Sequence, residues 1–151
     1  MKLNLGCGTD IRKGFINIDS RELPGVDRVF DLASDETLGA PGSVDYILAQ
    51  DILEHFPQAD AKRILASWVK LLKPGGVIEI QTPDIREAVE KSLGDDWMIR
   101  RIYGGQEYPG NFHKAGFTRA TMKRLLESVG LEVILEGDGG LGNLLVKARR
   151  K

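Results

Sequence analysis

Several small groups of residues in this sequence carry recognisable chemistry. The run Lys2-Leu3-Asn4-Leu5 ends on Gly6-Cys7-Gly8, and a second run, Phe15-Ile16-Asn17-Ile18, ends on Asp19. Glycines let backbone approach a ligand closely, and an acidic side chain at the next strand's tip can grip a ribose diol. That pairing points to a nucleoside-containing cofactor. Asp31 with Leu32, and Gln50 with Asp51, close two further apolar runs. In an open α/β sheet, ligands bind outside the carboxyl ends of the strands, so all these residues fall in one row.

Two histidines complete the set. His55 follows the fourth run in Leu53-Glu54-His55-Phe56. Its bland role is packing or capping, and its sharper one is lining the pocket. His113 lies in the stretch Trp97–Phe117, rich in aromatics and glycine, which reads as a lid over the cofactor edge or as an anchored surface loop. His113 is the first candidate general base, with Asp51 and His55 behind it. Cys7 reads as a small loop residue whose backbone matters, because nothing near it activates a thiolate. The two histidines stand far apart in sequence and offer no ligand-spacing motif, so no metal site is expected.

The elements that must position these groups are short, near-continuous apolar runs, as in strands buried on both faces of a parallel sheet. They are Lys2–Leu5, Phe15–Ile18, Asp27–Leu32, Val44–Ala49 and Val77–Gln81. Ala61, Ile64, Leu65, Trp68, Leu71 and Leu72 repeat at helical spacing and predict a helix over Gln58–Leu72, stopped by Lys73-Pro74-Gly75-Gly76. Asp84 with Glu87 suggests a capping box for a helix reaching about Leu93. A last helix is expected over Thr118–Val129. Strands Leu131–Glu136 and Leu144–Ala148, linked by Gly137-Asp138-Gly139-Gly140, then form an antiparallel hairpin.

Composition adds bounds. The 151 residues suit one domain spanning 1–151, and 42% apolar with 28% charged residues is ordinary for a globular protein. A net charge of −1 gives no support for a nucleic-acid or anionic-membrane partner. A single cysteine excludes an internal disulfide. Neither a signal peptide nor a membrane-length apolar stretch is present, so a cytoplasmic protein is expected.

Taken in order, the segments resemble the class I S-adenosylmethionine-dependent methyltransferases over nearly the whole chain. Leu3-Asn4-Leu5-Gly6-Cys7-Gly8 is similar to that family's first motif, and Asn17-Ile18-Asp19 to its ribose-binding strand end. Phe30-Asp31-Leu32 resembles its adenine-contact position, and Val44–Phe56 its fourth-strand segment. Leu71-Leu72-Lys73-Pro74-Gly75-Gly76-Val77-Ile78-Glu79-Ile80 resembles the turn into its fifth strand. The resemblance implies a Rossmann-like, mostly parallel α/β sheet with an antiparallel C-terminal hairpin strand. It implies S-adenosylmethionine as cofactor, held by Gly6, Cys7, Gly8, Asp19, Asp31, Leu32, Gln50 and Asp51. The reaction implied is in-line methyl transfer to a small-molecule or glycan acceptor.

Two departures stand out. Asn4 replaces an acidic residue that many members carry, and only Thr9–Gly14 separates Gly8 from the next strand. A parallel crossover normally needs a dozen or more residues and a helix. The gap therefore admits an antiparallel hairpin, which would send Asp19 to the wrong edge, or a parallel crossover whose helix is reduced or absent. The second is expected, because Asp31, Gln50 and the Lys-Pro-Gly-Gly turn keep the parallel register. It would leave a sheet face for a homodimer partner, another subunit or a later segment to cover. Two other functions compete. One is a non-catalytic cofactor-binding pseudoenzyme or activating subunit. The other, a nicotinamide-dependent oxidoreductase, is weakened by Ile11 at the third glycine's place.

Overall fold

The computed structural model describes residues 1–91 and 94–151. Strands β1 (Lys2–Leu5), β2 (Ile16–Asp19), β3 (Arg28–Val29), β4 (Val44–Gln50), β5 (Leu72–Pro83), β6 (Leu131–Gly140) and β7 (Asn143–Arg150) form one sheet. Their order is β3-β2-β1-β4-β5-β7-β6. β1 through β5 pair in parallel, and β7 runs antiparallel to both its neighbours. The expected mostly parallel sheet with an antiparallel hairpin strand is what the chain builds.

The helices are α1 (Ala61–Leu71), α2 (Ile85–Glu90), α3 (Asp95–Tyr103) and α4 (Arg119–Ser128), with a 3-10 turn at Leu53–His55. The apolar stripe of α1 buries Ile64, Leu65, Trp68 and Leu71 against the sheet. Each such side chain contributes about 1.5–3 kcal/mol. The α4 helix adds Met122 and Leu126 to the same core, capped at Thr118 by a reciprocal box with Thr121. Leu3, Leu5, Ile18, Ile47, Ile78, Ile80, Leu144 and Val146 face these helices.

The first crossover is parallel, as expected, and no helix forms in it. Hydrogen bonds from two buried asparagines take a helix's place. Asn4 and Asn17 are partners across β1 and β2, and Asn4 Nδ2 donates to Asn17 Oδ1 at 3.1 Å and to the Asp10 carbonyl at 2.8 Å. Asn17 Oδ1 also accepts from the Arg12 amide at 2.8 Å, while Asn17 Nδ2 reaches Asp27 Oδ2 at 3.0 Å. The Cys7 amide donates to the Ile18 carbonyl at 3.0 Å. The asparagines thereby anchor the Asp10 carbonyl and the Arg12 amide of the tight loop to β1 and β2.

Some expectations need correction. The third strand is only Arg28–Val29, not Asp27–Leu32, and the β2–β3 and β3–β4 connections are also helix-free. The helix read over Gln58–Leu72 starts at Ala61, and β5 begins already at Leu72, ahead of Lys73-Pro74-Gly75-Gly76. The hairpin turns at Leu141-Gly142, both with positive φ (50° and 74°), so Gly137–Gly140 belong to β6. A two-residue turn of this twist matches the flanking strands better than the longer glycine run. Asp84 caps α2 by accepting from the Arg86 and Glu87 amides, but Glu87 pairs with Lys91 and Arg119 rather than closing a box. The expected end of that helix at Leu93 lies outside the described residues.

The sheet face opposite α1 and α4 carries Lys2, Tyr46, Glu79, Gln81, Lys147 and Arg149, partly or fully exposed. No described helix lies across it. Tyr46 hydrogen-bonds Glu79, which Lys147 Nζ meets at 2.9 Å, and the Phe15 ring packs edge-on to Tyr46. The register puts Leu48, Val77 and Leu145 on this same face, so it mixes polar and apolar side chains.

Candidate cofactor and catalytic site

The parallel register sets the site. Leu5 pairs with Ile18 and Ala49, and Ala49 with Ile80, so Gly6, Asp19, Gln50 and Gln81 emerge at one edge. Gly6 turns with φ 65°, and a Cβ there would sit 2.5 Å from Ile52 Cγ1, so only glycine fits. The loop then bends back until the Gly8 amide donates to Asp19 Oδ2 at 2.7 Å. Asp19 Oδ1 accepts from the Arg21 amide at 3.0 Å and from Arg21 Nε at 3.1 Å. Burial alone would raise the Asp19 pKa, but the Arg21 and Gly8 hydrogen bonds outweigh it and hold the carboxyl below its ordinary value.

A continuous cleft runs along this edge. At one end a cavity of about 290 Å³ is lined by Asp19, Phe30, Asp31, Leu32, Ile52 and Phe56. Its walls are largely apolar with carboxylates at the rim, which suits a flat heteroaromatic base beside a ribose. Asp31 also forms its own turn, accepting from the Ala33 amide at 2.9 Å. The middle is lined by Gly6, Asp19, Asp51 and His55, and the far end by Gly8, Gln50, Asp51, Glu54, His55 and His113. Gly6, Gly8, Asp19, Asp31, Leu32, Gln50 and Asp51 thus share one cleft. Cys7 does not line it: its thiol is buried, and burial followed by the nearby Asp19 charge raises its pKa. Its amide serves the crossover instead.

Asp51 takes a left-handed conformation, φ 49°, and donates its amide to Gln81. Its carboxylate receives Gln81 Nε2 at 3.3 Å and Asn143 Nδ2 at 3.4 Å. Desolvation raises its pKa against the Gln81 hydrogen bond and the Arg101 and His113 charges.

The stretch Trp97–Phe117 is not one lid. Its first part is the end of α3, and the rest forms a roof. Gly104 has φ 83°, and a Cβ there would meet the Asn111 carbonyl at 2.3 Å. This close turn folds Phe112 back onto Gly104 as a bridge. His113 then caps α3: its amide donates to the Tyr103 carbonyl at 3.0 Å, and its Nδ1 to the Arg101 carbonyl at 2.9 Å. The next two amides, of Lys114 and Ala115, both donate to the Glu54 carbonyl. Further out, the Tyr108 ring lies 4.6 Å from the Arg21 guanidinium, joining the roof to the Asp19 end.

These contacts bring His55 and His113 together, with ring centroids 5.0 Å apart. Distance in sequence therefore excludes nothing about what the two can share. Desolvation lowers the pKa of both below the ordinary imidazole value. Sequence reasoning missed Glu54, Arg21, Arg101 and Asn143. Glu54 was visible in the motif beside His55, but its burial was not.

Among known proteins, a family model described as a methyltransferase domain matches residues 3–136. No curated protein sequence matches the chain significantly. Solved structures do. A Thermotoga maritima S-adenosylmethionine-dependent methyltransferase is similar at a TM-score of 0.72 and 15% identity, covering 99% of this chain and 82% of that one. Burkholderia thailandensis 1,6-didemethyltoxoflavin-N1-methyltransferase, with its substrate and S-adenosylhomocysteine bound, gives 0.68 and 15%, over 99% and 70%. The methyltransferase-like chain of a Haloferax volcanii complex with a methyltransferase activator gives 0.69 and 16%, over 98% and 80%.

Proposed function

The chain belongs to the methyltransferase-domain family, and we propose that it moves a methyl group from S-adenosylmethionine to a hydroxyl of a small molecule or sugar. One observation carries this reading. A single cleft joins the Gly6–Gly8 loop and Asp19, a base-sized cavity at Asp31 and Leu32, and a cluster of basic side chains at the other end. Asp19 is placed to accept from a ribose diol, its Arg21 contact being the exposed one that a ligand can displace. Leu32, Phe30 and Ile52 offer the base an apolar slot, and the Gly6 backbone admits the tail.

S-adenosylmethionine supplies a methyl group already activated on a sulfonium. The protein's part is to align the acceptor in line with that methyl and to exclude water, effects worth up to about 7–11 kcal/mol together. Gln50 and Asp51 border the acceptor end. His113, Asp51 and His55 are the groups available to take a hydroxyl proton, a role worth about 10²–10⁴ in rate. The roof over Gly104–Phe117 covers this end and completes the acceptor pocket. The 151 residues act as one domain, working in the cytoplasm.

Calorimetry with S-adenosylmethionine, S-adenosylhomocysteine and NAD tests the cofactor. Binding of both sulfur ligands but not NAD, weakened at least tenfold in Asp19→Ala, is the expected result. Absence of heat with either sulfur ligand rejects the reading. A second reading is a cofactor-binding subunit without its own turnover. It is favoured by the similar Haloferax protein held with an activator. Cofactor binding with no methylation across hydroxylated acceptors would select it.

A further inference from the structure

We propose that Glu54, His55 and His113 hold a divalent transition-metal cation at the acceptor end of the cleft, deepening the methyl-transfer reading on which this inference rests. One ligating atom from each residue lies within 4.8 Å of the other two. Side-chain rotation can bring such atoms to the separation of about 3.4 Å expected around a tetrahedral ion with ligands at about 2.1 Å.

The hydrogen bonding makes the set a ligand set. Nδ1 of His113 lies 2.9 Å from the Arg101 carbonyl, and Nδ1 of His55 lies 3.2 Å from the Phe112 carbonyl. A carbonyl only accepts, so each Nδ1 carries the proton and each Nε2 keeps a free lone pair. Metal-ligating histidines are commonly fixed in this way, by a backbone carbonyl on the other nitrogen.

Glu54 supplies the second, independent observation. It is 2% exposed and lines the cleft, yet neither carboxylate oxygen has a hydrogen-bond partner. A buried carboxylate without a partner costs several kcal/mol. Thr82 Oγ1 and Asn143 Oδ1, on strands beside it, are also buried and unpaired. The Thr82 hydroxyl is the nearby group able to donate to Glu54, and it leaves most of the carboxylate's acceptor capacity unused, which a cation would take up. Asp51 adds negative charge from the cleft wall. Arg101 and Lys114 oppose the site, but the Arg101 guanidinium is engaged by the Leu141 carbonyl at 2.7 Å.

Two imidazoles and one carboxylate suit zinc, iron(II), cobalt(II) or manganese(II), and three protein ligands leave open positions toward the cleft. An acceptor hydroxyl entering there is acidified by the cation. Its O–H bond breaks and Asp51 passes the proton to solvent. The acceptor oxygen's electron pair forms the new bond to the methyl carbon, and the carbon–sulfur bond breaks with its pair left on sulfur. His55 and His113 then serve as ligands, not as bases.

The test is titration of the chelator-treated protein with cobalt(II), read by visible absorption, and with zinc(II), read by calorimetry. One equivalent should bind and give ligand-field bands. Glu54→Gln and His113→Ala should each weaken binding at least tenfold while S-adenosylhomocysteine still binds, which also shows that the variants fold. No saturable cobalt or zinc binding by the wild-type protein, or binding unchanged in both variants, overturns the metal site. If the metal binds but S-adenosylhomocysteine does not, the methyl-transfer reading fails and the metal site stands.

Discussion

Asp19 has two duties that compete for the same oxygens. It holds the glycine loop closed through the Gly8 amide, and it lines the cavity proposed for the cofactor's nucleoside. Its folded pKa is lowered, so its contribution to stability is complete above the ordinary aspartate value of about 3.8. That contribution disappears as pH falls through the lower folded value. Asp19→Asn should therefore lose about 1–3 kcal/mol at pH 7, and the difference from wild type should shrink below pH 4. Urea denaturation of both proteins at pH 7 and at pH 3 to 4 reads this directly. A difference that does not change with pH would show that the carboxylate charge is unimportant to the loop.

At the scale of elements, the molecule replaces a crossover helix with two asparagines. A helix covers a sheet by burying apolar side chains, whereas Asn4 and Asn17 satisfy the backbone of a loop too short to do so. Asn17→Leu removes the acceptor for the Arg12 amide and strips the Asp27 carboxylate of a partner. We expect it to cost about 2–4 kcal/mol, the range for leaving several buried polar groups unpaired. Thermal unfolding of Asn17→Leu and of the milder Asn17→Ser checks this, with the serine variant expected to fall between. The α3 helix is the element that sequence patterning missed. Its buried residues are none, so no apolar stripe marks it. It forms because its C-terminal carbonyls are claimed by His113 and its Arg101 by the 141–142 turn, partners that lie elsewhere in the chain.

For the whole molecule, a cleft shared by β1, β2, β4, the 3-10 turn and the roof couples cofactor binding to global stability. Ligand at about 100 times its dissociation constant stabilises the folded state by about 2.7 kcal/mol, equivalent to roughly 5–10 °C at this chain length. S-adenosylhomocysteine should produce such a shift in differential scanning fluorimetry and NAD should not. Equal shifts from both, or none from either, would contradict the assignment.

Sequence determined the short apolar strands, the glycine loop and Asp19 at a strand end, because glycine geometry and strand patterning are set by a few neighbouring residues. The six-residue gap by itself left an antiparallel hairpin and a helix-free parallel crossover both open, and the later segments in parallel register decided for the second. Tertiary structure decided the rest. Glu54 became an unpartnered buried acid only when its carbonyl took the Lys114 and Ala115 amides, and His113 reached His55 only when Gly104 turned the chain back on α3. The pairings Gly104 with Phe112 and Glu54 with Lys114 span residues whose identities show no periodicity. They depend on closure of a loop, whose entropy and backbone partners no single segment specifies.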